Sequence, residues 1–350
     1  MLLTRTTRTK PRRWAAALSA VTLGVGLLAG CGSDSSDSAD KASSGNSTAG
    51  GAFPVTVEHA FGSTKITKAP ERVVTVGYTD DQTVLAFGTK PVGMVDQYPN
   101  PAGKSPDINT QWPWVKDKWG STRPEVVMKN GDSDPNYEKI AALRPDLIIA
   151  VYSEVDRAAY DKLSRIAPTV GRTKAEKEPF SAPWQDNALQ IAKALGKAEE
   201  GEKKIADVQN QLATAKKEHP AFGKETAVAL SWYENSVAPF TSTDVRGRLV
   251  SGIGFQYRTE IDKVAGGSFY TKLSPERIDL VDVDRIFVIN DKADTAALKK
   301  FKLFTNLDAV KNGKVSYLPD SEGPAVGAAI SQGTLLSMPY AIDELVKSVG

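Results

Sequence analysis

The 350-residue chain has an ordinary globular composition, with 41% hydrophobic and 25% charged residues. One cysteine excludes internal disulfides, and two histidines are too few for a free-metal site built on histidine clusters. The formal net charge is +2, but five basic and no acidic residues lie in the first 13 positions. Without them the chain holds 39 basic against 42 acidic residues, a net charge of −3, which argues against nucleic-acid binding.

Residues 1–30 are predicted to be a lipoprotein signal peptide. A basic start precedes the apolar stretch Ala15–Leu28, which is too short for a comfortable transmembrane helix. The stretch ends in Leu-Ala-Gly-Cys31 and resembles a bacterial lipobox, so we expect lipidation of Cys31 and anchoring to the cell membrane, facing outside the cytoplasm. An ordinary signal peptide is the alternative, and Arg12-Arg13 also permits twin-arginine export. Residues 31–52 are rich in Ser and Gly and are predicted to be a flexible tether.

Residues 53–196 are predicted to form an N-terminal lobe in which strands and helices alternate. Such alternation is typical of an α/β lobe with a mostly parallel sheet. Residues 96–123 have no periodic pattern and contain several tryptophans. The predicted elements are a hairpin at 53–66, strands at 70–76, 91–95, 147–151 and near 168–170, and helices at 81–87, 137–143 and 154–166.

Residues 197–219 are predicted to form one long bridging helix, followed by a C-terminal lobe at 220–350. Apolar residues at Ile205, Val208 and Ala215 give the helix a single apolar face. One helix between two lobes is a stiff connection, which argues against a large hinge closure. In the second lobe the predicted strands lie at 226–233, 284–290 and 314–318, and the predicted helices at 245–251, 275–281, 294–300 and 334–349.

A short pattern occurs twice in the chain, 138 residues apart. Glu138 opens a helical segment, Asp146 follows eight residues later, and strand residues come next; Glu276 and Asp284 repeat this spacing. A repeat of this kind indicates two similar lobes, each with a carboxylate at an equivalent place. Two lobes imply a cleft, and two matched carboxylates imply a partner that is contacted twice.

The order of several motifs resembles the substrate-binding lipoproteins of ferric-siderophore, haem and cobalamin ABC importers. The motifs are Ala69-Pro-Glu-Arg-Val-Val74, Leu85-Ala-Phe-Gly88, Asn136-Tyr-Glu138 and Phe240-Thr-Ser242. The resemblance covers residues 53 to about 345. It implies a class III periplasmic binding protein-like fold, with two Rossmann-like lobes and mostly parallel sheets joined by one long rigid helix. It also implies a monomer without a cofactor.

The resemblance further implies that Glu138 and Glu276 dock into Arg pockets on the two permease subunits of the importer. Carboxylates are good bidentate partners for Arg. The alternative is that each Glu only supports the first turn of its helix. The expected ligand is a ferric-siderophore chelate held between the lobes, so that iron is bound only through the chelator and no protein group is a metal ligand.

Candidate ligand-binding residues follow predicted strands or lie in irregular stretches. Aromatic faces can cover the apolar linkers of a chelate, and Arg or Tyr groups can reach its metal-bound oxygens. For each aromatic residue the alternative is core packing, and for each Arg it is a solvated charge. The candidates include only two cations, Arg246 and Arg248. An anionic catecholate complex would need a denser basic pocket, so a hydroxamate is favoured. The candidates are Tyr78, Tyr98, Trp112, Trp114, Tyr152, Trp232, Tyr233, Arg246 and Arg248.

Two other kinds of function remain at this point. Haem or cobalamin would suit the same family, and an axial Tyr from among the candidates would serve haem. An α/β hydrolase-like enzyme would suit the fold class, but the chain has no Gly-x-Ser-x-Gly elbow, no Walker loop and no dinucleotide fingerprint. His59 and His219 do not end predicted strands, so we expect a binding protein and not an enzyme.

Overall fold

The computed structural model describes residues 53–98, 107–176 and 180–350. The predicted signal peptide, Cys31 and the predicted tether lie outside these residues. Within the described ranges, no helix combines the length and the apolar character needed to cross a membrane.

The N-terminal lobe consists of a hairpin and a five-stranded parallel sheet with helices around it. The sheet order is β5-β4-β3-β6-β7, and the inner strands β3 and β6 are buried along their whole length, as expected when both faces are covered. The strands are β1 (Val55–His59), β2 (Gly62–Ile66), β3 (Val73–Thr75), β4 (Gly93–Asp96), β5 (Glu125–Lys129), β6 (Leu147–Ile149) and β7 (Thr169–Val170). The helices are α1 (Asp80–Ala86), α2 (Asp107–Gln111), α3 (Lys116–Trp119), α4 (Tyr137–Ala142), α5 (Arg157–Ser164) and α6 (Trp184–Ala194).

A 21-residue helix, α7 (Ala198–Glu218), leads from the first lobe to the second. Its length is about 32 Å at 1.5 Å per residue. Ile205, Val208 and Ala215 are buried and belong to the largest hydrophobic cluster, which also contains residues of both sheets. The helix is therefore packed into a core that the two lobes share, which makes the connection stiff.

The C-terminal lobe is built on a five-stranded mixed sheet. The parallel path is β10-β8-β11-β12, and β9 pairs antiparallel with β8 through a tight turn. The strands are β8 (Thr226–Tyr233), β9 (Ser236–Pro239), β10 (Gln256–Tyr257), β11 (Arg285–Ile289) and β12 (Val315–Leu318). The α-helices are α8 (Val245–Gly252), α9 (Glu260–Ala265), α10 (Lys292–Leu298), α11 (Lys302–Thr305), α12 (Asp308–Lys311), α13 (Val326–Gln332) and α14 (Ser337–Val349), and 3₁₀ helices lie at Pro220–Lys224 and Pro275–Val281.

The C-terminal helices also contact the N-terminal lobe. The hydroxyl of Thr334 donates to Oε1 of Gln82 at 2.9 Å, and the rings of Trp114 and Tyr340 lie 5.3 Å apart. On α7, the amide of Gln211 donates to Oδ1 of Asp343 on α14 at 2.8 Å. The lobes are thus joined at α7 and again through α13 and α14.

The two aspartates of the sequence repeat perform the same task in each lobe. Asp146, just before β6, accepts the backbone N–H groups of Glu71 and Arg72 at 2.9 Å each, near the start of β3. Asp284, just before β11, accepts the N–H of Thr226 at 2.8 Å, at the start of β8. Since β3 pairs with β6 and β8 pairs with β11, each aspartate ties the starts of two neighbouring strands together.

The fold-class prediction is confirmed, but several local elements differ from the sequence expectation. Residues 96–123 contain α2 and α3, and the unpredicted strand β5 follows them. In β5 only Val127 is buried, so this edge strand lacks the apolar run of a buried strand. The second copy of the repeat is a 3₁₀ helix, kinked at Arg277, where the first copy is α-helical.

Candidate functional site

A cavity of about 230 Å³ lies between the two lobes. Its wall from the N-terminal lobe comes from segments that follow the carboxyl ends of β3, β4, β5 and β6, which is where open parallel sheets place their ligands. Its wall from the C-terminal lobe comes from the start of α8, the end of α13 and the segment after α9. The lining residues are Tyr78, Gln97, Asn130, Tyr152, Glu154, Phe180, Asp244, Arg246, Phe269 and Ser331.

Two tyrosines of the N-terminal lobe are fixed side by side. The backbone N–H of Tyr78 donates to the carbonyl of Tyr152 at 2.9 Å. The buried carboxylate of Asp80 accepts the N–H groups of Val151 and Tyr152 at 2.8 and 3.0 Å. Both tyrosines follow buried strands of one parallel sheet, so backbone bonds and not side-chain packing alone set their positions.

Both tyrosines are neutral phenols at physiological pH. Burial and the nearby carboxylate of Glu154, which accepts the Tyr78 hydroxyl at 3.1 Å, raise the pKa of Tyr78 to about 12. Burial, followed by the charge of Asp244, raises the pKa of Tyr152 above its usual value. A neutral phenol can donate a hydrogen bond to an acceptor in the cavity.

Arg246 provides the cationic group of the opposite wall. Its Nη1 donates to Oδ1 and Oδ2 of Asp244 at 2.9 and 3.0 Å, and its Nε donates to Oγ of Ser331 at 3.1 Å. The guanidinium also lies 4.0 Å from the ring centroid of Phe240. Among the described residues no hydrogen bond engages Nη2.

The local sequence explains the position of Arg246. Asp244 precedes α8, and its carboxylate accepts the Arg246 N–H at 2.9 Å as the N-cap of that helix. A Cβ on Gly247 would lie 2.3 Å from the carbonyl oxygen of Thr241. The glycine therefore lets the first turn of α8 lie against the preceding loop, which presents Arg246 to the cavity.

Aromatic rings from both lobes meet at the cavity wall. The centroid of Phe180 lies 4.8 Å from that of Tyr152 and 5.8 Å from that of Tyr78. It also lies 6.2 Å from the centroid of Phe269, at an edge-to-face angle of 85°. The cavity thus combines apolar ring faces with a few polar groups, which is typical of small-molecule sites.

Of the candidates from the sequence, the structure brings Tyr78, Tyr152 and Arg246 together in this cavity. Arg248 lines a smaller adjoining cavity of about 20 Å³, together with Asp80 and Trp184. Its Nη2 donates to the carbonyl of Ser181 at 3.1 Å, a contact between the lobes. Arg248 therefore links the two lobes beside the cavity and does not line it.

The remaining aromatic candidates lie elsewhere in the structure. Trp112 is 3% exposed and stacks on Trp114 with centroids 5.3 Å apart, in a hydrophobic cluster that also contains Met94 and Ala328. Tyr98 follows the lining residue Gln97 in the sequence, but its hydroxyl donates to Oδ1 of Asp320 at 3.4 Å. Trp232 packs on Phe301. These side chains do not form the cavity wall, because neighbouring aromatic and acidic groups already engage them.

Tyr233 differs because it is exposed, at 48% of its surface. Its ring lies 6.0 Å from that of Tyr270, which lies 4.9 Å from that of Phe269 on the cavity wall. Tyr233 thus stands at the outer end of a row of rings and does not line the cavity itself.

Several lining residues were not predicted from the sequence. Phe180 and Phe269 lie in irregular segments, where no periodic pattern identifies a buried or a functional side chain. Asp244 had a usable signal, since an Asp directly before a helical segment is a preferred N-cap. Glu154 could have been considered because it follows the strand that places Tyr152.

The repeated glutamates lie on the surface of the two lobes. Glu138 is exposed in the first turn of α4, whose N-cap is Asn136. Glu276 is exposed in the first turn of the 3₁₀ helix at Pro275–Val281. A hydrogen bond to its own backbone N–H, followed by one from Ser274, lowers the pKa of Glu276, so this carboxylate is ionised at neutral pH.

The described residues contain no group of three or more His, Cys, Asp or Glu side chains arranged to hold a metal ion. His59 is buried, and its Nε2 lies 3.0 Å from the Thr64 hydroxyl. Burial lowers its pKa. His219 stacks on Phe222 with centroids 4.8 Å apart. Neither histidine lines the cavity.

The fold and the site define an α/β binding protein with a cleft between two stiffly joined lobes. Residues 73–322 match the periplasmic binding protein family, and because this match spans more than two thirds of the chain, the protein belongs to that family. A probable siderophore-binding lipoprotein of Bacillus subtilis, YfiY, is 28% identical over 327 residues, covering 90% of this chain and 93% of YfiY. The Fe(3+)-citrate-binding protein YfmC of the same species is 28% identical over 310 residues, covering 88% and 90%.

A solved structure shares the fold. The crystal structure of Streptococcus pneumoniae PiaA in complex with ferrichrome superposes with a TM-score of 0.68 at 27% identity, covering 84% of this chain and 97% of PiaA. The match extends over nearly the whole of that protein. The two-lobed architecture, and not only one sheet, is therefore shared.

Proposed function

We propose that the protein captures a ferric-siderophore chelate in the cavity between its lobes and delivers it to an ABC importer for iron uptake. The observation that carries this proposal is the convergence of Tyr78, Tyr152 and Arg246 on one cavity at the carboxyl ends of the strands. The relatives named for siderophore and Fe(3+)-citrate binding, and the ferrichrome complex of PiaA, support it. No turnover of the ligand is expected of such a carrier.

Among siderophores, the site favours a hydroxamate. Neutral phenols and one Arg nitrogen can donate hydrogen bonds to hydroxamate oxygens, and the rings of Phe180 and Phe269 can cover the linkers. A catecholate chelate carries several negative charges and calls for several cations, whereas Arg246 is the only Lys or Arg among the residues that line the cavity. Haem or cobalamin is the alternative ligand within the same family, with Tyr78 or Tyr152 as an axial ligand for haem.

The proposal includes the organisation of the chain. We assign residues 1–30 to a signal peptide, 31–52 to a tether, 53–196 and 220–350 to the two lobes, and 197–219 to the bridge. Lipidation of Cys31 would hold the monomeric protein at the outer side of the cell membrane.

A tryptophan-fluorescence titration tests the ligand. Five of the six tryptophans follow residue 31, and Trp184 lines the smaller cavity beside the site. For residues 32–350 we expect saturable quenching by a ferric hydroxamate with Kd of about 1 μM or below, and weaker or no quenching by ferric catecholates, haem and cobalamin. If no ferric siderophore quenches at micromolar concentration, the proposed function is wrong; a shifted Soret band would assign haem instead.

Docking to the permease through Glu138 and Glu276 is tested with the double variant Glu138→Ala/Glu276→Ala. Two charge-assisted contacts to Arg would be lost while the cavity is untouched. We therefore expect uptake of ⁵⁵Fe-chelate by cells to fall by at least about 10-fold, with the Kd for the chelate changed by less than about twofold. The control is Glu199→Ala/Glu202→Ala on α7, two exposed glutamates with the same change in net charge. Loss of chelate affinity in the first variant would show that the pair acts inside the fold.

A further inference from the structure

Negative charge exceeds positive charge at the cavity. Glu154 and Asp244 line it together with the single cation Arg246. Arg246 is already neutralised locally, because its Nη1 contacts both carboxylate oxygens of Asp244. The remaining charge on the wall is therefore the carboxylate of Glu154.

Further carboxylates lie behind both walls. Asp80 holds the Tyr152 backbone from below, and Asp320 accepts the Tyr98 hydroxyl next to the lining residue Gln97. Burial raises the pKa of both carboxyls to about 6. For Asp320 the charge of Arg246 opposes this rise, and the charge of Asp291 adds to it. Both remain largely ionised at pH 7.4, so the second layer adds negative potential.

Glu154 itself is available to a ligand. It is exposed, and its partner is the neutral Tyr78 phenol at 3.1 Å. Among the described residues no Lys, Arg or His forms a salt bridge with it. Glu154 also borders a neighbouring cavity of about 160 Å³, whose lining includes Asp132, Asp134 and Asp156. Lys162 lies 3.8 Å from Asp134 and offsets one of these charges. This rim of the N-terminal lobe is therefore acidic.

We propose that the cavity selects ferric chelates by charge, and that Glu154 recognises a cationic ammonium arm on a hydroxamate chelate. This inference rests on the proposed function and specifies its substrate class. The tyrosines, Arg246 and the aromatic rings hold the neutral iron–hydroxamate core, and Glu154 at the rim pairs with a protonated amine outside that core. Anionic chelates bring like charge toward Glu154 and Asp244 without a free cation to compensate, which opposes their binding.

The test compares two probes that share one iron core. Ferrioxamine B carries a terminal ammonium group, and its N-acetyl derivative is neutral at that position. The wild-type protein should bind ferrioxamine B about 3- to 5-fold more tightly than the acetylated form, as expected for a partly exposed ion pair. Raising the salt concentration from about 0.02 M to about 0.5 M should shrink this ratio toward one, since salt screens exposed charges.

Glu154→Gln removes the charge and keeps an amide oxygen that can accept the Tyr78 hydroxyl. We expect it to bring the ratio to about one by weakening only ferrioxamine B. The matched control is Asp161→Asn on α5, which makes the same change in net charge at an exposed site away from the cavity and should keep the wild-type ratio. Thermal melts of both variants show whether they are folded.

Each outcome decides between the two levels of the proposal. Charge selection is overturned if the wild type binds both probes equally, or if the ratio is unchanged in Glu154→Gln. It is also overturned if ferric citrate or ferric enterobactin binds more tightly than ferrioxamine B. All three outcomes leave siderophore capture intact. If none of these chelates binds, siderophore capture itself fails.

Discussion

Replacing Arg246 with alanine is expected to weaken ferric-hydroxamate binding by at least about 10-fold and to lower the free energy of unfolding by about 3–5 kcal/mol. The Arg246 side chain is 17% exposed and that of Asp244 is 2% exposed, with 2.9 Å between Nη1 and Oδ1. Truncation leaves the Asp244 carboxylate buried without its cation, which is the costly way to break a buried ion pair. Chemical denaturation and a fluorescence titration measure the two effects.

A double variant separates the two roles of this pair. Asp244→Asn/Arg246→Met removes both charges, retains an amide oxygen to cap α8 and fills most of the volume, so we expect it to regain much of the lost stability. Chelate binding should stay weak because the guanidinium is absent. A double variant that binds as tightly as the wild type would show that Arg246 does not contact the ligand. Arg246→Lys should fall between, because one ammonium group cannot contact both Asp244 and Ser331 as the planar guanidinium does.

Stability is expected to fall as the pH rises from about 6 to 8, and Asp81 alone should contribute about 2 kcal/mol of that fall. Asp81 is 3% exposed on α1. Burial, followed by the charge of Asp80, raises its pKa to about 8 from an ordinary value of 3.8. In this window the folded state keeps a proton on Asp81 that the unfolded state has lost, so rising pH favours unfolding.

Other buried groups shape the same profile at lower pH. Burial raises the pKa of Glu176 to about 7 and those of Asp80 and Asp320 to about 6, so these carboxyls act in the same direction over windows that end earlier. Burial lowers the pKa of His59, which acts in the opposite direction, but only below its unfolded value of about 6.5. The fall between pH 7 and 8 therefore belongs mainly to Asp81.

Asp81→Asn tests this assignment because the amide cannot ionise. We expect the variant to be more stable than the wild type at pH 8, by about 2 kcal/mol or more, and its melting temperature to change little between pH 7 and 8. Asp161→Asn, at an exposed site, should leave the wild-type slope unchanged. A wild-type protein whose stability rises from pH 6 to 8 would contradict the burial of Asp81 in a protonated form.

The sequence predicted those parts of the fold and of the site that depend on local pattern. Alternating strand and helix signals indicated two α/β lobes. Positions just after predicted strands suggested Tyr78 and Tyr152, which line the cavity, and also Tyr98, which does not. The start of a helical segment identified Arg246. Each of the three lining positions is determined by a neighbouring regular element, and the chain order of the elements is enough to place it.

Positions fixed by distant contacts were beyond such reasoning. Trp112 and Trp114 flank Pro113 in an irregular segment, and only contacts with α1 and the C-terminal helices decide how they pack. Phe180 and Phe269 come from loops of different lobes and meet at a centroid distance of 6.2 Å. No local pattern records such a meeting, because its determinants are about 90 residues apart in the sequence.

In each lobe, the repeated Glu-to-Asp segment extends from one end of the sheet to the other. At its lower end, Asp146 or Asp284 is fastened to the amino ends of two strands. At its upper end, Glu138 or Glu276 stands near the carboxyl ends, because a helix that leads into a parallel strand runs antiparallel to it. Each glutamate is therefore held in place by the sheet of its lobe, at the edge where the cavity opens. We therefore expect that a permease bound to both glutamates, as proposed above, covers the mouth of the cavity, so that a released chelate enters the permease and not the surrounding solvent.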